Sequence, residues 1–196
     1  MNVFYTNSDP IVCADEHCVT HTNKMITEYA QLLSTAHRVL DGVPHRNAKN
    51  RLEYRLSGEC DTNMYKATHV NHPSAQWVRE SSGNYEWLLT VLMQLCENYK
   101  RHKGKPQKVE WCALPWLMDL PKNINVNSVT EPPVCAPDRI VDVYNKCKSV
   151  TWAYKHFIVD KIMLWEKYPE MGKRAVNTDF YIEPVWYREI RKTVEG

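Results

Sequence analysis

The sequence predicts an all-α fold: one compact helical domain over 1–196, led by a short strand or extended arm. Two observations carry that expectation. Apolar residues recur at helical spacing over three long stretches. Proline, glycine and aspartate then punctuate the chain where each stretch stops. A third observation sets the scale, because a chain of 196 residues buries about 70% of its unfolded surface in one core.

In chain order, residues 2–6 read as the strand or arm, and Asn7-Ser8-Asp9-Pro10 as a turn or helix start. The first helix runs from about Asp15 to Leu40, closed by Asp41-Gly42 and Pro44. A polar, irregular surface excursion is expected around 44–70. A second helix starts near His72-Pro73-Ser74, with proline in the first turn where its missing N–H costs nothing, and reaches about Tyr99. Pro115, Pro121, Pro132, Pro133 and Pro137 cut the next region into short pieces. A third helix spans Arg139 to about Trp165. The tail carries Pro169, Gly172 and the aromatic segment Glu183 to Tyr187.

Composition narrows the function classes. The formal net charge is +2, too small to mark a nucleic-acid binder by itself, so local clustering must carry that argument. The seven cysteines are irregularly spaced with no Cys-x-x-Cys pair, which indicates neither a disulfide framework nor a zinc ribbon. The start of the chain has no basic region followed by an apolar run, and no apolar run approaches ~18 residues. A soluble protein of the cytoplasm, with no membrane partner, is expected. Seven tryptophans and eleven tyrosines suit both a helical core and base-stacking walls.

The first helix carries the most chemistry. At about 100° per residue, Met25, Tyr29, Leu32, Leu33, Ala36 and Leu40 share a core-facing arc. His17, His21, Lys24, Glu28, Gln31 and Thr35 form a row along its flank. A lysine that is desolvated or close to other cations becomes a nucleophile, and a glutamate beside an apolar wall exchanges protons. Lys24 and Glu28 are therefore candidate catalytic groups, with His21 or His17 moving protons; an ordinary solvated ion pair is the alternative. Cys13, His17 and His21 are spaced four apart, but no His-Glu-x-x-His pattern accompanies them, so neither metal nor cofactor is expected.

Elsewhere, His72 either caps the second helix or contacts a phosphate at its N-terminus. Arg79 either pairs with Glu80 or binds phosphate near Trp77. Lys100, Arg101, Lys103, Lys105 and Lys108 put five positive charges on one short segment. That segment is either a phosphate-holding surface or a solvated helix end.

The run from His21 through Lys24, Glu28 and Gln31 to His37-Arg38 resembles a segment of small phage-encoded proteins. So do His72-Pro73, Trp77-Val78-Arg79-Glu80, the Tyr-rich stretch from Ala153 to Phe157 and the tail from Pro184 to Tyr187. More distantly, Lys24, Glu28, Gln31, His72 and Trp77 are similar to a pattern of the pyrimidine-dimer DNA glycosylases of endonuclease V type. That resemblance implies a compact all-α fold working on damaged or modified DNA bases, with DNA as partner. It makes Gln31, His72, Trp77, Arg79, Trp186 and Tyr187 candidate substrate contacts. The phage glycosylase uses the amine of a mature N-terminal threonine. This chain begins Met1-Asn2, so either Lys24 supplies the amine here or the chemistry is different. Two other functions fit the same residues: a transferase that attaches an amine or amino acid to a modified pyrimidine, and a non-enzymatic binder of nucleic acid or a host factor.

Overall fold

The computed structural model describes residues 1–169 and 177–195. Gly172, one of the tail's break signals, lies outside them. The fold is mostly helical, as the periodicity predicts, but the second and third of the three long helices are each divided by a break in the backbone.

The start signal at 7–10 opens a separate short helix, α1 (Pro10–Asp15), and the first predicted helix is the single α2 (Val19–Asp41), which begins after Asp15. Asp9 opens α1, its carboxylate accepting from the N–H groups of Ile11 and Val12 at 2.8 and 3.2 Å. The chain then straightens at Cys18 (φ −69°, ψ 163°), which bridges Phe180. No side chain caps α2. Its first free N–H groups, on Val19 and Thr20, instead donate to the carbonyls of Asp179 and Asn177 at 2.9 and 3.0 Å. The returning tail thus closes a helix end that the local sequence leaves open.

The predicted irregular excursion is an ordered hairpin and a helical turn: β1 (Val43–Arg46), β2 (Leu52–Arg55) and α3 (Cys60–Asn63). The strands are antiparallel, with Val43 opposite Arg55 and Arg46 opposite Leu52. Its anchor is Arg38, a charged residue with no exposure at all. All five guanidinium N–H groups are used. They reach the carbonyls of Tyr54, Asp61, Met64 and Tyr65 and the Asp61 carboxylate, at 2.5 to 3.1 Å. The guanidinium holds the Asp61 carboxyl down at about 2. Gly42 lets the hairpin leave α2 at close quarters, since a Cβ there would collide with the Arg38 carbonyl.

The second predicted helix is α4 (Pro73–Glu80) followed by α5 (Ser82–Lys103). Ser81 stops α4 in extended backbone, and its hydroxyl accepts from the Asn84 N–H at 3.1 Å to start α5. The break receives a strap. Ser82 and Gly83 donate their N–H groups to Asn125 and Asn127 at 2.8 and 3.0 Å, and the strap's backbone lies where a Cβ on Gly83 would sit. Between α5 and the strap come two short helices, α6 (Lys108–Cys112) and α7 (Leu114–Leu117).

The third predicted helix is α8 (Asp138–Cys147) and α9 (Val150–Lys167). Lys148 takes the left-handed conformation (φ 53°) between them, and the Ser149 hydroxyl caps α9 by accepting from the Trp152 N–H at 3.2 Å. The chain closes with α10 (Val185–Glu195).

Helices α2 and α5 run antiparallel through the core. His37 meets Tyr85 at 2.8 Å near one end, and Asp15, just before α2, takes the Asn98 amide at 2.8 Å near the other. Met25, Tyr29, Leu32, Leu33 and Ala36 are all buried, so the core arc of α2 sits where its spacing put it; Leu40 is half-buried. Residues 2–6 form an extended arm rather than a strand, and Phe4 is wedged between α2 and α9. Its N–H donates to the Tyr29 hydroxyl at 3.1 Å, and its ring lies 4.7 Å from His21 and 5.5 Å from Phe157. Among the described residues, no helix is long and apolar enough to cross a membrane.

Candidate active site

The flank of α2 meets a second row of residues on α9. Lys24 Nζ lies 3.2 Å from Glu28 Oε1, the lysine half-exposed and the carboxylate mostly covered. Facing them, α9 presents Phe157, Lys161 and Trp165, four residues apart and therefore stacked along one face. The Lys161 ammonium sits 5.0 Å from the Phe157 ring centre and 5.6 Å from that of Trp165. Beneath them His21 lies edge-on to Trp165 at 5.2 Å. Its Nδ1 is buried with no hydrogen-bond partner, an arrangement that costs about 1–3 kcal/mol when nothing offsets it.

Electrostatics set these groups apart. Burial lowers the proton affinity of Lys161, the Lys24 ammonium lowers it further, and Glu28 partly opposes both. Burial also pushes His21 well below the usual imidazole range, reinforced by His17, Lys161 and Lys24. The cluster therefore holds two amines, one of them destabilised as a cation and the other paired with a carboxylate, and a neutral imidazole whose Nδ1 has no partner. Those are the parts needed for nucleophilic amine chemistry with proton transfer.

Several of the predicted site residues serve packing instead. His17 has no exposure. Its Nδ1 contacts the Cys13 carbonyl at 2.8 Å and its Nε2 the Tyr29 hydroxyl at 3.2 Å. Burial holds its pKa down at about 4, which leaves it neutral and without access to a substrate. Trp77 is buried, its indole N–H bonded to Thr130 and its ring edge-on to Trp87 at 6.0 Å. Trp186 is buried with its indole N–H on Glu16 at 2.8 Å. Tyr187 packs on Phe180 at 4.8 Å, and its hydroxyl accepts from Arg191 at 2.8 Å. In each case the polar tip that a base would need is taken by the protein, so these three rings brace α4 and α10.

Arg79 donates to the carbonyls of Val70 and Ala75 at 2.8 and 2.9 Å, pinning the turn before α4. His72 caps α4, its Nδ1 accepting from the Ser74 N–H at 3.2 Å. Burial lowers its proton affinity first, then the Met1 amine and His69. Among the described residues, no hydrogen bond or ion pair joins His72 to Lys24 or Glu28. Gln31 stays half-buried on the flank of α2, one turn beyond Glu28.

Lys100, Arg101, Lys103, Lys105 and Lys108 are all exposed at and beyond the end of α5, which Gly104 closes in the left-handed conformation. Lys100 makes a 3.9 Å pair with Glu97. Arg101 borders a recess of about 210 Å³, in which His102 stacks on Tyr181 at 3.6 Å. Among the described residues, no three His, Cys, Asp or Glu side chains converge as a metal site would require.

Lys161 is the residue that reasoning along the sequence missed. Its spacing with Phe157 and Trp165 was the available signal. No protein-family model, curated protein or solved structure matches this chain.

Proposed function

We propose that the chain is a phage-type enzyme acting on DNA bases, glycosylase- or lyase-like, whose working amine is Lys161. The observation that carries this reading is an amine on α9 that burial and a neighbouring ammonium make easier to deprotonate. It lies beside Trp165, a partly exposed ring on which a flipped base could stack.

In this reaction the neutral Lys161 Nζ forms a bond to the sugar C1′ as the bond from C1′ to the base breaks. The base leaves with that electron pair and takes up a proton. Opening of the sugar ring then gives the imine. Glu28 balances the positive charge that develops, and Lys24 keeps Lys161 poised for deprotonation. The exposed cations from Lys100 to Lys108 hold the phosphate backbone.

Borohydride reduces such an imine to a stable amine, linking protein to DNA. Incubation with a duplex carrying one abasic site, whose open form presents an aldehyde, is expected to trap the wild-type protein. Lys161→Met, which keeps the stem's packing, and Lys161→Arg, which keeps the charge, should each lower trapping by about 100-fold or more. Lys24→Ala should retain it. Trapping that survives both Lys161 changes would overturn the assignment.

A further inference from the structure

The hairpin β1–β2 carries a charge pattern that the proposed chemistry does not use. Arg46, Lys49, Arg51 and Arg55 lie on its strands and tip, and all four are exposed. Its one acidic residue, Glu53, is already engaged by the Asn47 amide at 2.5 Å and by His45 at 3.7 Å. The side chains of Lys49, Arg51 and Arg55 make no hydrogen bond or ion pair with another described residue. The register puts Arg46 on the face of Pro44, Leu52 and Tyr54 and Arg55 on the opposite face with Val43, His45 and Glu53, so the cations flank the ribbon on both faces and at its tip.

What holds it is a stiff tip on a stiff base. The Asn47 side-chain oxygen Oδ1 accepts from the N–H groups of Lys49 and Arg51 at 2.9 and 3.0 Å. Asn50 supplies the left-handed residue of the turn (φ 56°), and the Arg46 guanidinium donates to its carbonyl at 2.8 Å. At the base, buried Arg38 grips the Tyr54 carbonyl at 2.8 Å. A projecting element fixed in this way loses little freedom when it meets a partner, which is how preorganisation raises affinity.

We propose that this hairpin is a second DNA-contact surface, entering the major groove of duplex DNA and placing its cations on the flanking phosphates. The inference rests on the reading that the chain works on DNA. A two-stranded ribbon fits the major groove of B-form DNA, whereas the deep, narrow major groove of duplex RNA excludes it. The charge is of the right sign: four cations against the single carboxylate of Glu53. Lys24 and the start of the hairpin are separated along α2 by about 26 Å at 1.5 Å per residue. One turn of duplex, roughly 34 Å, is long enough to span that separation.

The test is a binding titration of a fluorescent undamaged duplex over a range of salt concentrations. It compares the full chain with the triple variant Lys49→Ala, Arg51→Ala, Arg55→Ala. None of these side chains holds the hairpin, and Arg46 is kept, so the fold should be unaffected; a charge-retaining triple, Lys49→Arg, Arg51→Lys, Arg55→Lys, controls for it. The alanine triple is expected to weaken binding by about tenfold near 0.1 M salt and to flatten the log–log salt slope by about 2 to 3. The charge-retaining triple should bind like the wild type. Duplex RNA should bind the wild type and the alanine triple alike. If the wild type binds duplex DNA and the alanine triple matches it, the hairpin proposal fails and the DNA reading stands. If the loss is as large on duplex RNA, groove entry is overturned. If the wild type binds no duplex at all, both readings fall together.

Discussion

One helix, α2, buries polar side chains in two opposite ways. Near its end, Arg38 is wholly enclosed, and every N–H it owns has an acceptor. Near its start, His21 is equally enclosed, and one of its nitrogens has none. The first arrangement organises structure: a cation taken out of water is tolerated because the excursion from Tyr54 to Tyr65 wraps around it. The second organises nothing that packing alone would not supply, and it sits beside two amines and a carboxylate. Buried polar groups are satisfied almost everywhere in proteins. The same lack of a partner occurs at Glu16 Oε2, His45 Nδ1 and Tyr181 Oη; what sets His21 apart is the pair of amines beside it, the feature on which the proposed chemistry rests.

The contrast can be broken most severely at Arg38. Replacing it with methionine strands four carbonyls and the Asp61 carboxylate, so unfolding in urea should show a loss of about 3–5 kcal/mol. Amide exchange should rise first in β1, β2 and α3, with the helices around α9 less affected. A loss below about 1 kcal/mol would mean that the hairpin is held by something other than this residue.

The next effect is one of pH. His17 has a pKa of about 4 in the folded chain against about 6.5 when unfolded. Above about 6.5 both states are neutral and the fold keeps its full stability. As pH falls from there towards 4, the unfolded chain takes up a proton that the folded chain refuses, and stability declines by about 3 kcal/mol from this group alone. His21 and His37 are depressed in the same direction by burial and add to the loss. Urea titrations at pH 7 and pH 4 measure it, and His17→Gln should flatten the dependence.

His21→Phe sharpens the comparison. It removes the unpartnered nitrogen but keeps a ring against Phe4 and Trp165, so stability should rise by about 1–3 kcal/mol. Trapping on abasic DNA should nevertheless fall by about tenfold. A stability loss as large as that at Arg38 would make His21 a structural residue of the same kind.

The smallest effects lie in the pH profile of trapping. Because Lys161 is depressed, trapping should rise with pH and level off below the range of an exposed lysine, about 10.4. Lys24→Ala removes a neighbouring positive charge and should move the rise to higher pH. Glu28→Gln removes a negative one and should move it lower. Both shifts are read from trapping rate against pH, and the fold should barely notice the lost surface pair.

Much of this architecture was legible along the sequence, for a physical reason. Periodicity reports which face of a helix is buried, and it found Met25, Tyr29, Leu32, Leu33 and Ala36 of α2. The breaks at Ser81 and Lys148 were not visible, because a serine or lysine inside a periodic run reads as surface until its backbone turns. The hairpin was hidden for a different reason: polar residues 44–70 owe their order to Arg38, whose acceptors are distant in sequence. The site was half legible. Lys24 and Glu28 are local partners four residues apart, and their spacing exposed them. Their meeting with Lys161 depends on how α9 folds back across the N-terminal arm, which no local pattern encodes. Trp77, Trp186 and Tyr187 misled because an aromatic ring in sequence does not reveal whether its polar tip is already bonded.

The account stands or falls on which amine reacts. Mapping the borohydride-reduced adduct by digestion and tandem mass spectrometry identifies that amine directly. The expected result is a sugar-derived mass on Lys161 and on no other lysine. An adduct on Lys24 or on the terminal amine of Met1, or no adduct under conditions that trap a known lyase, would contradict it.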